Sequence, residues 1–151
     1  MNPTPLLLFL DFDGVLHPDG AGVFSKLALF EAHLARMPRV EVVISSSWRE
    51  EHSLTELRHF FSADVRERVI GVTPSLEDGY DRGGRQREIH AWLEHAGLHA
   101  GNARWIVLDD VALFFEDHYP QVILTDPAEG FSEKDGEALL AWYHGQPMRR
   151  A

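Results

Sequence analysis

The chain contains no cysteine. This absence excludes disulfides, thiolate zinc sites and a cysteine nucleophile, and it leaves the redox compartment undetermined. Basic residues are also scarce, since 14 Lys plus Arg face 24 Asp plus Glu, for a formal net charge of -10. That balance argues against broad, non-specific binding to nucleic acid or to an anionic membrane, although it is compatible with a local basic pocket.

Long apolar runs are missing as well. No stretch approaches the roughly 18 apolar residues that a membrane span needs. The short apolar run near the N-terminus lacks the basic segment of a signal peptide and ends in two acids. We therefore expect a cytoplasmic protein without membrane contacts. The 151 residues, which show no internal repeat, suffice for a single domain over 1–151.

The rest of the chain is organised around the stretch LLLFLDFDGVL, residues 6–16. Its leading apolar run is typical of a strand that is buried on both faces, as in the middle of a parallel sheet. Asp11 and Asp13 follow directly, and ligand sites in open α/β sheets lie just beyond the carboxyl ends of the strands. Two carboxylates there repel each other and resist burial, so a hard metal ion is the simplest partner.

Strand and helix signals alternate along the chain. They predict strands at 6–10, 40–44, 69–72, 105–108 and 122–124, and helices at 25–36, 54–61, 85–96, 111–115 and 132–143. The turn-rich segment 17–22 is either a loop or a short hairpin flap. The alternation predicts an α/β fold, a three-layer sandwich with a central parallel sheet of about five strands.

Three of these strands end in chemically useful residues, namely Asp11/Asp13, Ser45/Ser46 and Asp109/Asp110. Parallel strands present their carboxyl ends at one edge of the sheet, so we expect these residues to lie close together. Asp109 is suited to bind magnesium together with Asp11, while Asp110 either supports it or caps the following short helix. The serine turn suits phosphate oxygens, although a plain turn and helix cap is the simpler interpretation.

Asp11 and Asp13 are suited to different roles in phosphoryl transfer. A carboxylate can attack a phosphoryl group and hold it as an acyl phosphate. Its neighbour can protonate the leaving oxygen and later activate water, provided that the chain turns back after the strand, which Gly14 makes easy. A solvated strand end is the alternative for an isolated pair of acids, and the other two strand ends favour the catalytic interpretation.

Four segments occur in a definite order: LFLDFDGVL, VVISSS, an arginine at the start of a helix, and WIVLDD. Together they resemble the four motifs of the haloacid dehalogenase (HAD) superfamily. The resemblance implies a Rossmann-like fold, Mg²⁺ dependence and phosphohydrolase chemistry. The segments in which this superfamily carries cap domains are short here, 14–25 and 73–84. We therefore expect no cap domain and an active site that is open to solvent.

By position, the resemblance implies that Asp11 is the nucleophile and a metal ligand. Asp13 is implied as the general acid/base, and its backbone carbonyl as a further metal ligand. Asp109 is the third expected metal ligand, with Asp110 supporting it. These roles come from the resemblance and not from spacing alone.

For the phosphate, the resemblance implies a hydroxyl from Ser45 or Ser46, between which the sequence does not decide. Arg85 is similar to the third-motif cation, in the place of a lysine, which exchanges a point charge for a fork of donors. Arg82 and Arg87 are the alternatives for that role. Cations at a helix N-terminus oppose the helix dipole, and a bound anion would relieve this conflict. A solvated basic patch that pairs with nearby acids is the other interpretation.

The phrase Ser46-Ser47-Trp48-Arg49 narrows the resemblance. It is similar to the HAD domains of Swiss Army Knife RNA-repair proteins and to the phosphatase domain of polynucleotide kinase-phosphatase. This implies a phosphorylated substrate, either a small molecule such as a nucleotide or a nucleic-acid end. Trp48, on which a base can stack, and Arg49 are candidate substrate contacts. The oligomeric state is left open.

Two other functions compete with a phosphatase. A signalling receiver domain also combines carboxylates, a hydroxyl and a cation, but its phosphorylated aspartate lies on a middle strand and a lysine follows its fifth strand. In this chain the later acids follow the fourth predicted strand, and no lysine directly follows the fifth. A catalytically idle HAD scaffold that binds a ligand or partner is the second alternative. Every residue type that catalysis needs is present, which favours an active enzyme.

Overall fold

The structure is a computed structural model that describes residues 3–147. Its centre is one parallel sheet in the order β3-β2-β1-β4-β5. The strands are β1 (Leu6–Leu10), β2 (Val40–Ile44), β3 (Val69–Val72), β4 (Arg104–Asp109) and β5 (Val122–Leu124). The predicted α/β class and all five predicted strands are confirmed.

Helices cover both faces of the sheet. They are α1 (Leu27–Leu34), α2 (Leu54–His59), α3 (Ala63–Arg66), α4 (Gly84–His95) and α5 (Glu133–Tyr143), with 3-10 turns at Ser47–Glu50 and Ala112–Phe114. Ser53 and Ser132 begin α2 and α5 with reciprocal capping boxes. The predicted helix at 111–115 is a 3-10 turn, and the four-residue α3 was not predicted because it is too short to show helical periodicity.

Alternating side chains of β1 enter two separate cores. Leu6, Leu8 and Leu10 pack with residues of α1, α2, α3 and α5 on one face. Leu7 and Phe9 pack with α4 and the segment that follows β4 on the other face. All five β1 side chains are buried, which confirms that this strand lies between two helical layers. No cap domain is evident within residues 3–147: the β1–α1 segment forms turns without a hairpin, and the β3–α4 segment is a loop.

The strand order reverses direction once, between β1 and β4. From β1 the chain steps outwards to β2 and β3, and it then crosses back to β4 on the other side of β1. This reversal between β1 and β4 is the topological switch point at which open α/β sheets bind ligands. The order differs from the 2-1-3-4-5 order of receiver domains, so the structure rules out the receiver alternative.

Within residues 3–147, no helix is long and apolar enough to cross a bilayer.

The contact between α1 and α5 depends on a glycine. A Cβ atom built on Gly136 would lie 2.2 Å from Nε2 of His33. The His33 ring is buried, with Nδ1 3.0 Å from the Leu29 carbonyl and Nε2 3.3 Å from Glu133. Gly136 therefore lets the two helices approach closely enough to bury this ring.

We expect Gly136→Ala to lower the free energy of unfolding by about 1–3 kcal/mol, because the added methyl group overpacks the buried contact. In an open helix the same change would stabilise by about 1 kcal/mol. A double-mutant cycle measures the effect: urea unfolding of the wild type, G136A, H33A and the double variant gives the free energy of unfolding of each. A G136A variant that destabilises equally in the H33A background would contradict this explanation.

Candidate active site

A buried arginine joins the ends of β1 and β4. Leu10 pairs with Leu108, so the next residues, Asp11 and Asp109, are neighbours across the two strands. Nη1 of Arg85 lies 3.2 Å from Oδ1 of Asp11 and 2.9 Å from Oδ2 of Asp109. All three side chains are buried. One guanidinium nitrogen therefore contacts a carboxylate from each strand.

The electrostatics of this cluster are unbalanced. Burial is the main cause that raises the pKa of Asp11 well above its ordinary value, and the charge of Asp109 raises it further, while Arg85 opposes both. Burial likewise raises the pKa of Asp109, against the lowering effect of Arg85. Burial alone would lower the pKa of Arg85, but the two carboxylates outweigh it and raise that pKa. The single cation thus leaves excess negative charge.

Asp110 adds a third carboxylate to the cluster. Ligand atoms of Asp11, Asp109 and Asp110 all lie within 4.8 Å of one another. Gly14 makes room for Asp110, since a Cβ at Gly14 would lie 2.2 Å from Oδ2 of Asp110. The alternative that Asp110 caps the following helix is wrong: the Val111 N–H donates to Oδ1 of Asp109, at 2.9 Å.

These residues fit a divalent cation. The donor set consists of carboxylate oxygens, which are the ligands that hard cations prefer. Both carboxylate oxygens of Asp109 accept hydrogen bonds from the protein, one from Arg85 and one from the Val111 N–H. Asp11 and Asp110 are less engaged, so the structure gives Asp110 a more direct place in the cluster than the supporting one expected from the sequence. A cation here would relieve the repulsion that burial imposes on the three acids.

The Asp13 side chain lies apart from this acidic cluster. Gly14, at φ +77°, turns the chain after it. Oδ1 of Asp13 is 2.7 Å from Nε2 of His17, and Oδ2 accepts a hydrogen bond of 3.1 Å from the indole N–H of Trp48. About half of the Asp13 side chain stays exposed, with a relative accessibility of 47%. Its expected contribution to the metal, through the backbone carbonyl, stays a prediction.

The two candidate serines differ in their surroundings. Oγ of Ser46 accepts a hydrogen bond from the Trp48 N–H at 3.2 Å and begins the 3-10 turn at Ser47–Glu50. Oγ of Ser45 is buried and has no partner among the described residues. Ser45 lies next to Asp11 across the sheet, because Leu10 pairs with Ile44. The unpartnered hydroxyl is therefore that of Ser45, and the sequence alone did not distinguish it from Ser46.

Arg49 has a structural position that the sequence did not suggest. Its side chain is 3% exposed and forms a 2.8 Å ion pair with the equally buried Glu88 of α4. The guanidinium also donates to the backbone carbonyls of Ser45, Ser46, Thr73 and Pro74. These contacts use the guanidinium to fasten the ends of β2 and β3 to α4, and the expected contact of Arg49 with substrate stays a prediction.

Of the three arginines near the start of α4, Arg85 alone contacts the acidic cluster in the described part of the chain. Arg82 is exposed and lies 4.0 Å from Asp117. Arg87 is half-exposed and pairs with Asp78 at 2.9 Å. Arg82 and Arg87 therefore belong to a solvated basic patch that pairs with nearby acids, which was the other interpretation of these arginines. The Arg85 guanidinium also packs over the ring of Phe114, 4.7 Å from its centroid.

Sequence reasoning missed two residues that shape the site. His17 is buried against Asp13, and the hydroxyl of Thr125 donates to the Gly14 carbonyl at 2.7 Å, which fixes the turn after β1. His17 lay in a segment predicted only as a loop or flap, and its spacing of four residues from Asp13 was the available signal. Thr125 follows the last strand, at a long distance in sequence from its partner.

Comparison with known proteins gives a direct result. Residues 7–135 match the family model described as the HAD domain in Swiss Army Knife RNA repair proteins. The chain belongs to the HAD superfamily. The match covers the strand ends that carry Asp11, Ser45 and Asp109, together with the start of α4. Searches of the curated proteins and of the solved structures found no match to this HAD domain.

Asp11→Asn should stabilise the HAD domain in the absence of divalent metal at neutral pH. The folded chain holds the Asp11 proton more tightly than the unfolded chain, so its contribution to stability is present below the ordinary pKa of 3.8 and is lost as the pH rises through the raised folded value. The advantage of the variant should therefore shrink as the pH falls toward 3.8. Thermal unfolding in chelator across this pH range measures it.

Asp117→Asn is the control for this prediction, because Asp117 is an exposed acid with a side-chain accessibility of 88%. Its removal should leave the melting temperature nearly unchanged across the same range. Equal pH profiles for wild type and D11N would show that Asp11 titrates normally in the folded chain.

Proposed function

We propose that this HAD domain is a Mg²⁺-dependent phosphomonoester hydrolase that works through an aspartyl-phosphate. The observation that carries the proposal is the Asp11 carboxylate, held by Arg85 at the switch point of the sheet, with the unpartnered Ser45 hydroxyl beside it. A nucleophile, a fixed cation and a free hydroxyl at one sheet edge are what phosphoryl transfer needs. Membership of the HAD superfamily supports the same class of reaction.

In the first half-reaction, a carboxylate oxygen of Asp11 attacks phosphorus and forms an acyl-phosphate bond. The bond from phosphorus to the leaving oxygen breaks, and its electron pair goes to that oxygen, which takes a proton from Asp13. In the second half-reaction, water attacks phosphorus and gives a proton to Asp13. The acyl-phosphate bond breaks, which releases inorganic phosphate and restores the Asp11 carboxylate.

Asp11, Asp109 and Asp110 would hold the Mg²⁺, since their ligand atoms lie within 4.8 Å of one another. When bound, the ion neutralises phosphoryl oxygens and the cluster charge. Arg85 keeps the Asp11 carboxylate in position through its 3.2 Å contact with Oδ1. Ser45 donates its hydroxyl proton to a phosphoryl oxygen, and backbone N–H groups at the same turn add further donors.

For the substrate, we propose a nucleotide or the terminal phosphate of a nucleic acid. Support comes from the matched family, which is described by its occurrence in RNA repair proteins. The absence of a cap within residues 3–147 leaves space for a large substrate, and the half-buried Trp48 beside Asp13 offers an aromatic surface. The net charge of -10 favours short or terminal phosphates over a long polyanion.

Asp11→Asn should reduce phosphatase turnover by about a thousandfold or more, because an amide cannot form the acyl phosphate. The assay compares mononucleotides, 3′- and 5′-phosphorylated oligonucleotides, sugar phosphates and phosphoproteins, with Mg²⁺ and with chelator. Turnover should require Mg²⁺ and return when it is restored. Substantial turnover in D11N would refute the covalent mechanism, and a wild type inactive on every substrate would support the idle-scaffold alternative.

Ser45→Ala and Ser46→Ala should affect different properties, phosphate binding in the first variant and stability in the second. Loss of the Ser45 hydroxyl should weaken phosphate binding by about tenfold to a hundredfold, the value of a hydrogen bond to a charged group, with little change in stability. Loss of the Ser46 cap should cost about 0.5–2 kcal/mol of stability, with a smaller effect on phosphate. Inhibition by inorganic phosphate and urea unfolding measure the two quantities. The reverse pattern would assign the phosphate to Ser46.

A further inference from the structure

Both oxygens of the Asp13 carboxylate are occupied by donors from outside the acidic cluster. Nε2 of His17 lies 2.7 Å from Oδ1, and Nε1 of Trp48 lies 3.1 Å from Oδ2. The His17 side chain is 4% exposed, whereas that of Asp13 is 47% exposed. Asp13 is therefore held by two donors while about half of its side chain stays accessible to solvent.

The protonation pattern of His17 follows from its second hydrogen bond. Nδ1 accepts from the backbone N–H of Phe24, at 3.2 Å. A ring nitrogen that accepts carries no proton, so the proton lies on Nε2 and is donated to Asp13. Phe24 itself adopts φ +57°, a left-handed conformation that is unfavourable for a bulky side chain. The β1–α1 segment thus adopts a strained backbone where it orients His17.

Aromatic packing fixes the two donors in place. The His17 ring lies 5.6 Å from the ring of Phe24 and 5.9 Å from that of Trp48, measured between centroids. Trp48 also packs edge-on against Phe12 at 5.4 Å and Phe60 at 5.7 Å. Rings from the β1–α1 segment, from the turn after β2 and from the C-terminal end of α2 therefore pack around the donors, which leaves them little rotational freedom.

We propose that His17 and Trp48 are positioning residues that hold the Asp13 carboxyl group in the orientation for proton transfer to the leaving oxygen. The inference rests on the proposed phosphatase function, in which Asp13 is the proton carrier. An acid that donates in the transition state must lie within hydrogen-bond reach of the leaving oxygen, and an error of about 1 Å costs rate heavily. An unsupported carboxyl group with this exposure rotates freely about its side-chain bonds.

The inference predicts a specific kinetic signature. Proton donation matters most for poor leaving groups, which cannot depart as anions, and least for good ones such as p-nitrophenolate. His17→Phe and Trp48→Phe each keep an aromatic ring and remove one donor. Both should lower kcat/KM for alkyl phosphates by about tenfold to a hundredfold, with a much smaller loss for p-nitrophenyl phosphate and with KM nearly unchanged.

The experiment measures kcat/KM in the presence of Mg²⁺ over a series of monoesters that differ in leaving-group basicity. Because kcat/KM covers the steps up to leaving-group departure, later hydrolysis of the acyl phosphate does not affect it. A plot of the logarithm of kcat/KM against leaving-group pKa should have a steeper slope in H17F and W48F than in the wild type. The slopes of these variants should approach the slope of Asp13→Asn. His17→Gln, which retains an N–H near the position of Nε2, should restore the wild-type slope.

Matched controls separate positioning from general disruption of the aromatic cluster. The His52 ring packs against that of Trp48 at 5.7 Å, and His52 forms an ion pair with Glu56. His52→Phe therefore changes the same cluster without removing a donor to Asp13. Trp92→Phe shortens another half-buried tryptophan on the opposite face of the sheet. Both controls should keep the wild-type slope. A uniform loss over all substrates in H17F and W48F, with no change of slope, would overturn the proposal.

Crystal structures provide a readout that does not depend on turnover. Because two variants are compared, the test still applies if one of them fails to fold. Asp13 should occupy its single orientation in wild type and H17Q, and it should leave that orientation or occupy several in H17F and W48F. An Asp13 carboxylate that stays in place in both variants would overturn the positioning role. A wild type inactive on every monoester would refute the phosphatase function, while these structures would still decide whether His17 and Trp48 hold Asp13.

Discussion

The burial of two aspartates side by side, at the ends of β1 and β4, is the constraint on which the rest of the structure depends. Each carboxylate is costly to bury, and the cost increases when they are neighbours. Arg85 compensates for part of it, through one nitrogen that contacts Asp11 at 3.2 Å and Asp109 at 2.9 Å. The start of α4 must therefore lie over this edge of the sheet, and the Arg49–Glu88 pair fastens it there.

The two aspartates of the first strand end have different environments, and the difference fits their proposed roles. Asp11 is buried in a cluster of acids with one arginine, which suits a nucleophile that works beside a cation. Asp13 is half-exposed and is held by neutral donors from His17 and Trp48. The chain turns at Gly14, directly after Asp13, and the absence of a Cβ there also gives Asp110 its place. One glycine thus serves both halves of the site.

Much of the fold follows from local sequence signals. Buried strands such as Leu6–Leu10 have continuous apolar runs, and the capping serines of α2 and α5 mark their own helix starts. Four-residue α3 escaped prediction because it is too short to establish a period. The segment after β4 was predicted as a helix and is a 3-10 turn, since so short a segment does not distinguish the two. The candidate residues at strand ends were also predictable, since parallel topology brings such ends to one edge.

By itself, the sequence determined the α/β sandwich, the family and the set of acids, hydroxyls and arginines at the sheet edge. Tertiary structure decided how these groups are used, because hydrogen-bond partners come from distant parts of the chain. Arg85 contacts acids from two strand ends, Ser45 is buried without a partner among the described residues, and the Arg49 side chain is buried against Glu88 of α4. The hydrogen bond from Trp48 to Asp13 likewise forms only on folding, because the two residues are 35 positions apart in sequence.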